Sequence, residues 1–81
     1  MDLKAEVIAQ FKRVAREQDR DLATLTEDLP LLDSGLDSLS FAIVVTRLEL
    51  SLGVDPFSAD EEAPFPITFG EFVEFYKNAA R

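Results

Sequence analysis

The sequence contains no cysteine and no histidine, and these two absences limit the chemistry open to it. Without thiols there is neither a disulfide nor a cysteine zinc site. Without imidazole the chain lacks the commonest general base and metal ligand near neutral pH. A nucleophile activated by a Ser-His or Cys-His pair is therefore excluded. We expect a protein that is not an enzyme and has no metal site of its own.

Long apolar runs are missing as well, and none approaches the length of a membrane span. The first residues lead directly into an amphipathic pattern with charges every few positions, which is unlike a signal peptide. We therefore expect no membrane segment and a cytoplasmic location. With 81 residues, of which 47% are hydrophobic, the chain is expected to fold as a single domain, residues 1–81, around one modest core.

Positive charge is scarce outside the first quarter of the chain, and the net charge is −8. Residues 1–20 hold five basic and four acidic side chains, whereas residues 21–76 hold twelve acids and a single base, Arg47. An acidic body repels the phosphates of nucleic acids and attracts basic protein surfaces. We expect a monomer that binds other proteins and no nucleic acid.

Apolar spacing of three and four predicts a first helix over residues 3–18, ending near Arg20. Its apolar side is formed by Leu3, Val7, Phe11, Val14 and Ala15. Thr68, with Glu71 three positions later, is a capping box that predicts a last helix over about 69–79. The residues expected to be buried in this last helix are Phe69, Phe72, Val73 and Tyr76.

A second helix is predicted to start at Asp37 or Ser38, both good N-caps, and to run to about Leu52, with Gly53 as its stop. It has two apolar stripes, the first formed by Phe41, Val44, Val45, Leu48 and Leu52, and the second by Leu39, Ile43, Thr46 and Leu50. Ser40, Arg47 and Ser51 are interpreted as a narrow polar strip. A helix with two apolar faces in so short a chain is expected to expose one of them to a partner.

The connectors on either side of this helix are rich in turn residues. Residues 21–37 are predicted to form a long ordered loop whose leucines pack on the core, namely Leu22, Leu25, Leu29, Leu31 and Leu32. Residues 53–66 are predicted to hold one short helical turn around Ser58–Ala63. The fold class is therefore all-α, a small bundle of three to four helices.

The stretch LLDSGLDSL, residues 31–39, contains Leu-Asp-Ser twice. Ser34 precedes Gly35 and is interpreted as part of a turn, whereas Ser38 lies at the predicted helix start with its hydroxyl presented outward. One alternative is that Ser38 is a plain N-cap and that the protein is a protein-interaction module.

Three segments carry a family resemblance: the motif at residues 35–39, the leucine-rich loop before it, and residues 67–73 at the opening of the last helix. In these the chain resembles acyl carrier proteins. The resemblance implies a helical bundle of the acyl-carrier type, with a long loop between helices 1 and 2 and a short third helix. It also implies that 4′-phosphopantetheine is attached covalently to Ser38 and holds an acyl group as a thioester.

The resemblance further implies the partners, which are a phosphopantetheinyl transferase and the enzymes that load and use the acyl group. The residues expected to contact them are Asp37, Leu39, Ala42, Ile43 and Thr46. An aminoacyl or peptidyl cargo stays open as an alternative, because the thioester chemistry is the same.

The second helix departs from carriers of fatty-acid synthesis, which usually have several glutamates along it. Here Glu49 is the one acid within that helix. Ile43, Leu50 and Ser51 stand where acids are expected, and Arg47 adds a positive charge. These departures predict a carrier dedicated to a specialised lipid or secondary-metabolite pathway.

Overall fold

The computed structural model describes residues 2–56 and 65–79, and three α-helices and one short 3₁₀ helix lie within them. Helix α1 spans Leu3–Glu17, α2 spans Ser38–Leu52 and α3 spans Phe69–Ala79, while the 3₁₀ helix spans Leu31–Asp33. The predicted all-α fold is confirmed. The helical turn predicted at Ser58–Ala63 lies outside the described residues.

Each α-helix begins at a side chain that satisfies free backbone N–H groups. Asp2 accepts hydrogen bonds from the N–H groups of Lys4 and Ala5, at 3.0 and 3.4 Å. At α3 the predicted capping box forms, because the Glu71 N–H donates to Thr68 Oγ1 at 3.2 Å and the Thr68 N–H donates to Glu71 Oε1 at 3.3 Å. Caps of this kind typically contribute about 1 kcal/mol each.

Helix α1 ends at Glu17, earlier than the predicted end near Arg20. Gln18 is the C-cap, and Asp19 adopts the left-handed conformation with φ of 55°. The Arg20 N–H donates to Ala15 O at 2.8 Å and the Asp19 N–H donates to Arg16 O at 3.2 Å. These two bonds form a Schellman motif, a helix ending that more often places glycine at the left-handed position. The chain therefore turns sharply before Arg20.

The core lies where the three helices meet around Phe11. The ring of Phe11 makes edge contacts with Phe41, Phe69 and Phe72, with centroid distances of 6.3, 5.3 and 5.6 Å. Such aromatic pairs add about 0.5–1.5 kcal/mol beyond the burial of their area. The buried hydrophobic residues are Val7, Phe11, Val14, Ala15, Leu31, Val44, Leu48, Phe69, Phe72, Val73 and Tyr76. All four residues predicted to be buried in the last helix are among them.

The loop between α1 and α2 is ordered because its backbone pairs with the start of α3. The Leu31 N–H donates to Ile67 O and the Phe69 N–H donates to Leu29 O, both at 2.8 Å. The Gly70 N–H donates to Glu27 O at 3.0 Å, and a Cβ on Gly70 would lie only 2.9 Å from that oxygen. The two segments can approach this closely only because residue 70 has no side chain.

Two predictions about burial are wrong. Leu32 was expected to pack inward but is 96% exposed, because it lies in a 3₁₀ helix whose neighbour Leu31 is buried, and successive residues there point about 120° apart. Ser40 was placed in the polar strip of α2 but is fully buried. It precedes Val44 and Leu48 by one and two turns, so it continues the row that faces the core.

Candidate functional site

The start of α2 is the place where the structure exposes a serine hydroxyl. Asp37 is the N-cap, and its Oδ1 accepts a hydrogen bond from the Ser40 N–H at 2.8 Å. Ser38 is the first helical residue and is exposed. The alternative that Ser38 is a plain N-cap is therefore wrong. Because Asp37 caps this helix end, the hydroxyl of Ser38 is not needed as the cap.

The carboxylate of Asp37 is held from two directions. Besides the N-cap bond, its Oδ2 accepts a hydrogen bond from Arg20 Nη2, which also forms an ion pair with it. The hydrogen bond from the Ser40 backbone N–H is the main reason that the pKa of Asp37 is lowered, and Arg20 lowers it further. Asp37 is thus ionised at neutral pH and is a weak base toward the neighbouring hydroxyl.

Ser34, in the first copy of Leu-Asp-Ser, is built into the loop. It is fully buried, its hydroxyl donates to Leu31 O at 2.7 Å, and its Oγ accepts from the Leu36 N–H at 3.4 Å. A turn at Gly35, with φ of 99°, separates the two serines. A Cβ on Gly35 would lie 2.0 Å from Asp21 O, so only glycine fits. The prediction that Ser34 belongs to a turn is confirmed.

An apolar cleft of about 270 Å³ opens beside Ser38. Its lining residues are Leu31, Leu32, Leu36, Asp37, Ser38, Phe41 and Phe65. The ring of Phe41 lies 5.9 Å from that of Phe65 and 5.4 Å from that of core residue Phe72, so the cleft borders the core directly. A larger groove of about 410 Å³ runs along α3 and shares Phe65 with the cleft, but neither Asp37 nor Ser38 lines it.

The predicted partner-contact residues lie along one side of α2 that begins at Ser38. Leu39 is 64% exposed, and Ala42 and Thr46 are exposed as well. Ile43 is only partly exposed, because its side chain packs against the core. Leu50, which is 81% exposed, extends the same row toward the end of the helix. We call Leu39, Ala42, Thr46 and Leu50 the outer face of α2.

Arg47 does not add free positive charge to this helix. Its guanidinium forms two hydrogen bonds with the carboxylate of Glu17, at 2.9 and 2.5 Å. The pair raises the pKa of Arg47 and lowers the pKa of Glu17, in both cases chiefly through these hydrogen bonds. Arg47 therefore joins α2 to the end of α1, and the outer face of α2 is apolar rather than acidic or basic.

Arg20 touches the site, although sequence reasoning did not place it there. It lies 17 positions before Asp37, and nothing in the local pattern relates the two. From the sequence alone, an arginine just after an amphipathic helix in an acidic chain is predicted to be a solvent-exposed side chain. The contact depends on the direction in which the Schellman motif turns the chain, which the spacing of apolar residues does not encode.

Comparison with known proteins gives one match. The family model described as a phosphopantetheine attachment site matches residues 5–60. No curated protein and no solved structure matches the chain. In the part of the chain that the structure describes, no helix is long and apolar enough to cross a membrane. Nor do the described residues include three or more acidic side chains grouped to hold a metal ion.

Proposed function

Because the chain belongs to the family of phosphopantetheine attachment domains, we propose that it is an acyl carrier protein whose arm is attached to Ser38. Domains of this family carry covalent 4′-phosphopantetheine, are not catalysts, and work with a phosphopantetheinyl transferase and partner enzymes. When bound, the group supplies a thiol, the chemistry that a chain without cysteine lacks. The observation that carries the proposal is the exposed hydroxyl of Ser38 beside an apolar cleft.

The residues around Ser38 explain why the chain needs a transferase. A serine hydroxyl is a weak nucleophile without a base, and the sequence has no histidine. The carboxylate of Asp37 is occupied by the Ser40 N–H and by Arg20, and its pKa is lowered. When Ser38 Oγ attacks the pantetheine-side phosphorus of coenzyme A, a new P–O bond forms, the P–O bond of the diphosphate breaks and adenosine bisphosphate leaves. The proton of Ser38 is therefore expected to pass to a base on the transferase.

The lining of the cleft supports an acyl cargo over an aminoacyl one. Five of its seven lining residues are leucine or phenylalanine, and the two polar ones, Asp37 and Ser38, belong to the attachment motif. Burying a methylene group contributes about 0.8 kcal/mol, so such a surface favours a hydrocarbon chain. Among the described residues that line it, Asp37 alone carries a carboxylate that could pair with the amino group of an aminoacyl thioester.

The composition of the outer face of α2 supports a specialised pathway. A helix meant to meet basic enzyme patches would expose acids, but here the exposed row is Leu39, Ala42, Thr46 and Leu50. The positive charge of Arg47 is neutralised by Glu17. We propose that partner enzymes dock on this face mainly through apolar contact, which gives an association with weak dependence on salt.

Mass spectrometry of the intact protein tests the attachment site. The wild-type chain, incubated with coenzyme A, Mg²⁺ and a transferase of broad specificity, should gain the mass of one phosphopantetheine. Ser38→Ala should gain nothing, while Ser34→Ala should gain the mass as wild type does. A gain on Ser38→Ala would overturn the assignment of the site, and no gain on the wild-type chain would favour the interaction module.

Thermal unfolding of loaded protein tests the cargo. Acyl groups of increasing length, transferred from their coenzyme A thioesters, should raise Tm progressively until the cleft is filled. An aminoacyl group of similar size should raise Tm less. Equal Tm values for all cargoes would contradict the inference that the cleft holds the acyl chain. Full activity with the general ketosynthase and acyltransferase of fatty-acid synthesis would contradict a dedicated pathway.

A further inference from the structure

The end of α1 is built to direct one arginine toward the proposed attachment site. Asp19 has φ of 55°, a conformation that costs free energy for a residue other than glycine. The backbone bonds from Arg20 to Ala15 and from Asp19 to Arg16, at 2.8 and 3.2 Å, keep this turn in place. The side chain of Arg20 then reaches Asp37, the residue directly before Ser38.

The contact with Asp37 uses only some of the N–H donors of Arg20. A guanidinium has five N–H donors in a planar fork, and the contact with Asp37 Oδ2 is made by Nη2. The other oxygen of Asp37 already accepts the Ser40 N–H. Arg20 is also partly exposed, with 45% of its side chain accessible, so its remaining donors are open to a new acceptor.

A phosphodiester on Ser38 would change the balance of charge at this place. With the free hydroxyl, Asp37 and Arg20 neutralise one another. Modification adds a permanent negative charge one residue from the Asp37 carboxylate, and like charges this close repel. The N-terminal end of α2 compensates in part through its dipole. The cation already held at this end is Arg20, and guanidinium pairs well with phosphate.

We propose that Arg20 is the counter-charge of the phosphodiester on Ser38 and positions the root of the phosphopantetheine arm. This inference rests on the proposed function of Ser38. In the unmodified chain Arg20 is held by Asp37, and in the modified chain it is shared between the carboxylate and the phosphate. Arg20 is thus a positioning residue that keeps the arm against the start of α2, next to the cleft.

The test compares Tm of the unmodified and modified forms of wild-type, Arg20→Gln and Arg16→Gln proteins. Arg16 is exposed on the last turn of α1, and its substitution removes the same charge. Modification should leave Tm of the wild type and of Arg16→Gln nearly unchanged. It should lower Tm of Arg20→Gln by about 2–4 °C at low salt, and by less at 1 M salt, where exposed charges are screened.

Two further measurements keep the proposal testable if Arg20→Gln folds poorly. Arg20→Lys, which keeps the charge but not the fork, should show a fall in Tm between those of wild type and Arg20→Gln. In wild-type protein labelled with ¹⁵N, the side-chain Nε–H signal of Arg20 should shift on modification, and that of Arg16 should not.

The outcomes separate the two proposals. If the wild-type chain gains no phosphopantetheine mass, the proposed function fails. If it gains the mass but Arg20→Gln changes Tm on modification no more than Arg16→Gln does, and the Arg20 signal stays in place, only the role of Arg20 is overturned.

Discussion

Ser34 and Ser38 occupy the same place in two copies of Leu-Asp-Ser, yet the first hydroxyl is buried and the second is exposed. In the first copy the serine closes a 3₁₀ helix and its hydroxyl is used by the backbone of Leu31. In the second copy Asp37 takes the capping role, so the hydroxyl of Ser38 is not needed to cap the helix. The difference lies in the backbone around each copy and not in the side chains.

Substitution of Gly35, the glycine between the two copies, is expected to disturb the difference between the two serines most strongly. Gly35→Ala adds a Cβ at 2.0 Å from Asp21 O and keeps a positive φ, so the loop must move. Left-handed strain and overpacking together predict a loss of about 2–5 kcal/mol in the free energy of unfolding. Urea denaturation followed by circular dichroism measures it.

Gly53 supplies the matched control, because its φ is also positive, at 73°, but a Cβ there meets nothing within 4 Å. Gly53→Ala should therefore lose only about 1 kcal/mol, from backbone strain alone. Equal losses at the two glycines would mean that the close approach to Asp21 does not constrain the loop.

The two serines themselves give the next largest effect. Ser34→Ala removes the hydroxyl donor to Leu31 O, which keeps only the Ser34 N–H at 3.2 Å, and removes the acceptor of the Leu36 N–H. It should cost about 1–3 kcal/mol. Ser38→Ala, at an exposed position, should change stability by less than about 0.5 kcal/mol. Denaturation of the two variants in parallel makes the measurement. A larger loss for Ser38→Ala would show that its hydroxyl has a structural role.

The dependence of Tm on pH compares Asp37 with Asp33, the aspartates of the two copies. Because the pKa of Asp37 is lowered by folding, its contribution to stability is present above its ordinary pKa and is lost as the pH falls through its folded pKa. Wild-type Tm should therefore fall below about pH 4. Asp37→Asn should reduce that fall, measured as the difference in Tm between pH 7 and pH 3.

Asp33 provides the corresponding position in the first copy. It lies in the 3₁₀ helix and is not the cap of α2. Asp33→Asn removes the same charge without removing that cap and serves as the matched control. If both substitutions reduce the fall in Tm at low pH equally, the hydrogen bonds of Asp37 are not the cause of that fall.

The smallest expected effect comes from Asp19, which forms the turn after which Arg20 reaches Asp37 in the second copy. Asp19→Gly relieves the left-handed strain and should raise the free energy of unfolding by up to about 1 kcal/mol, whereas Asp19→Ala should lower it. Thermal unfolding measures whether each substitution raises or lowers the stability. Modification of Ser38 should proceed at the wild-type rate in Asp19→Gly, and a marked slowing would indicate that Asp19 itself contacts the transferase.

The helices and most of the core were predictable because they depend on local signals. Asp37, Gly53 and the Thr68–Glu71 capping box set helix ends through neighbouring residues, and apolar spacing identified Phe11 and Phe72 as core. Leu32 and Ser40 were misplaced for different reasons. The 3₁₀ geometry that turns Leu32 outward is not visible in composition, and Ser40 was assigned by its polarity although its helical position faces the core.

The candidate site was predictable only where it is contiguous in sequence. Asp37, Ser38 and Leu39 lie in one motif, whereas Arg20 and Phe65 reach the same place from 17 positions before Asp37 and 27 positions after Ser38. Such contacts depend on how the loop crosses α3 and how α1 ends. Ile43 illustrates the same limit, because apolar character alone does not tell how much of a side chain the core covers.

The backbone pairing between the loop and the start of α3 has a consequence for the kinetics of folding. Its three hydrogen bonds join residues 36 to 43 positions apart, from Leu31 to Ile67 and from Glu27 to Gly70. Contacts so distant in sequence close late, so this domain should fold more slowly than a bundle with short connections. The amides of Leu31, Phe69 and Gly70 should then exchange with solvent as one cooperative unit, although they belong to a loop and a helix.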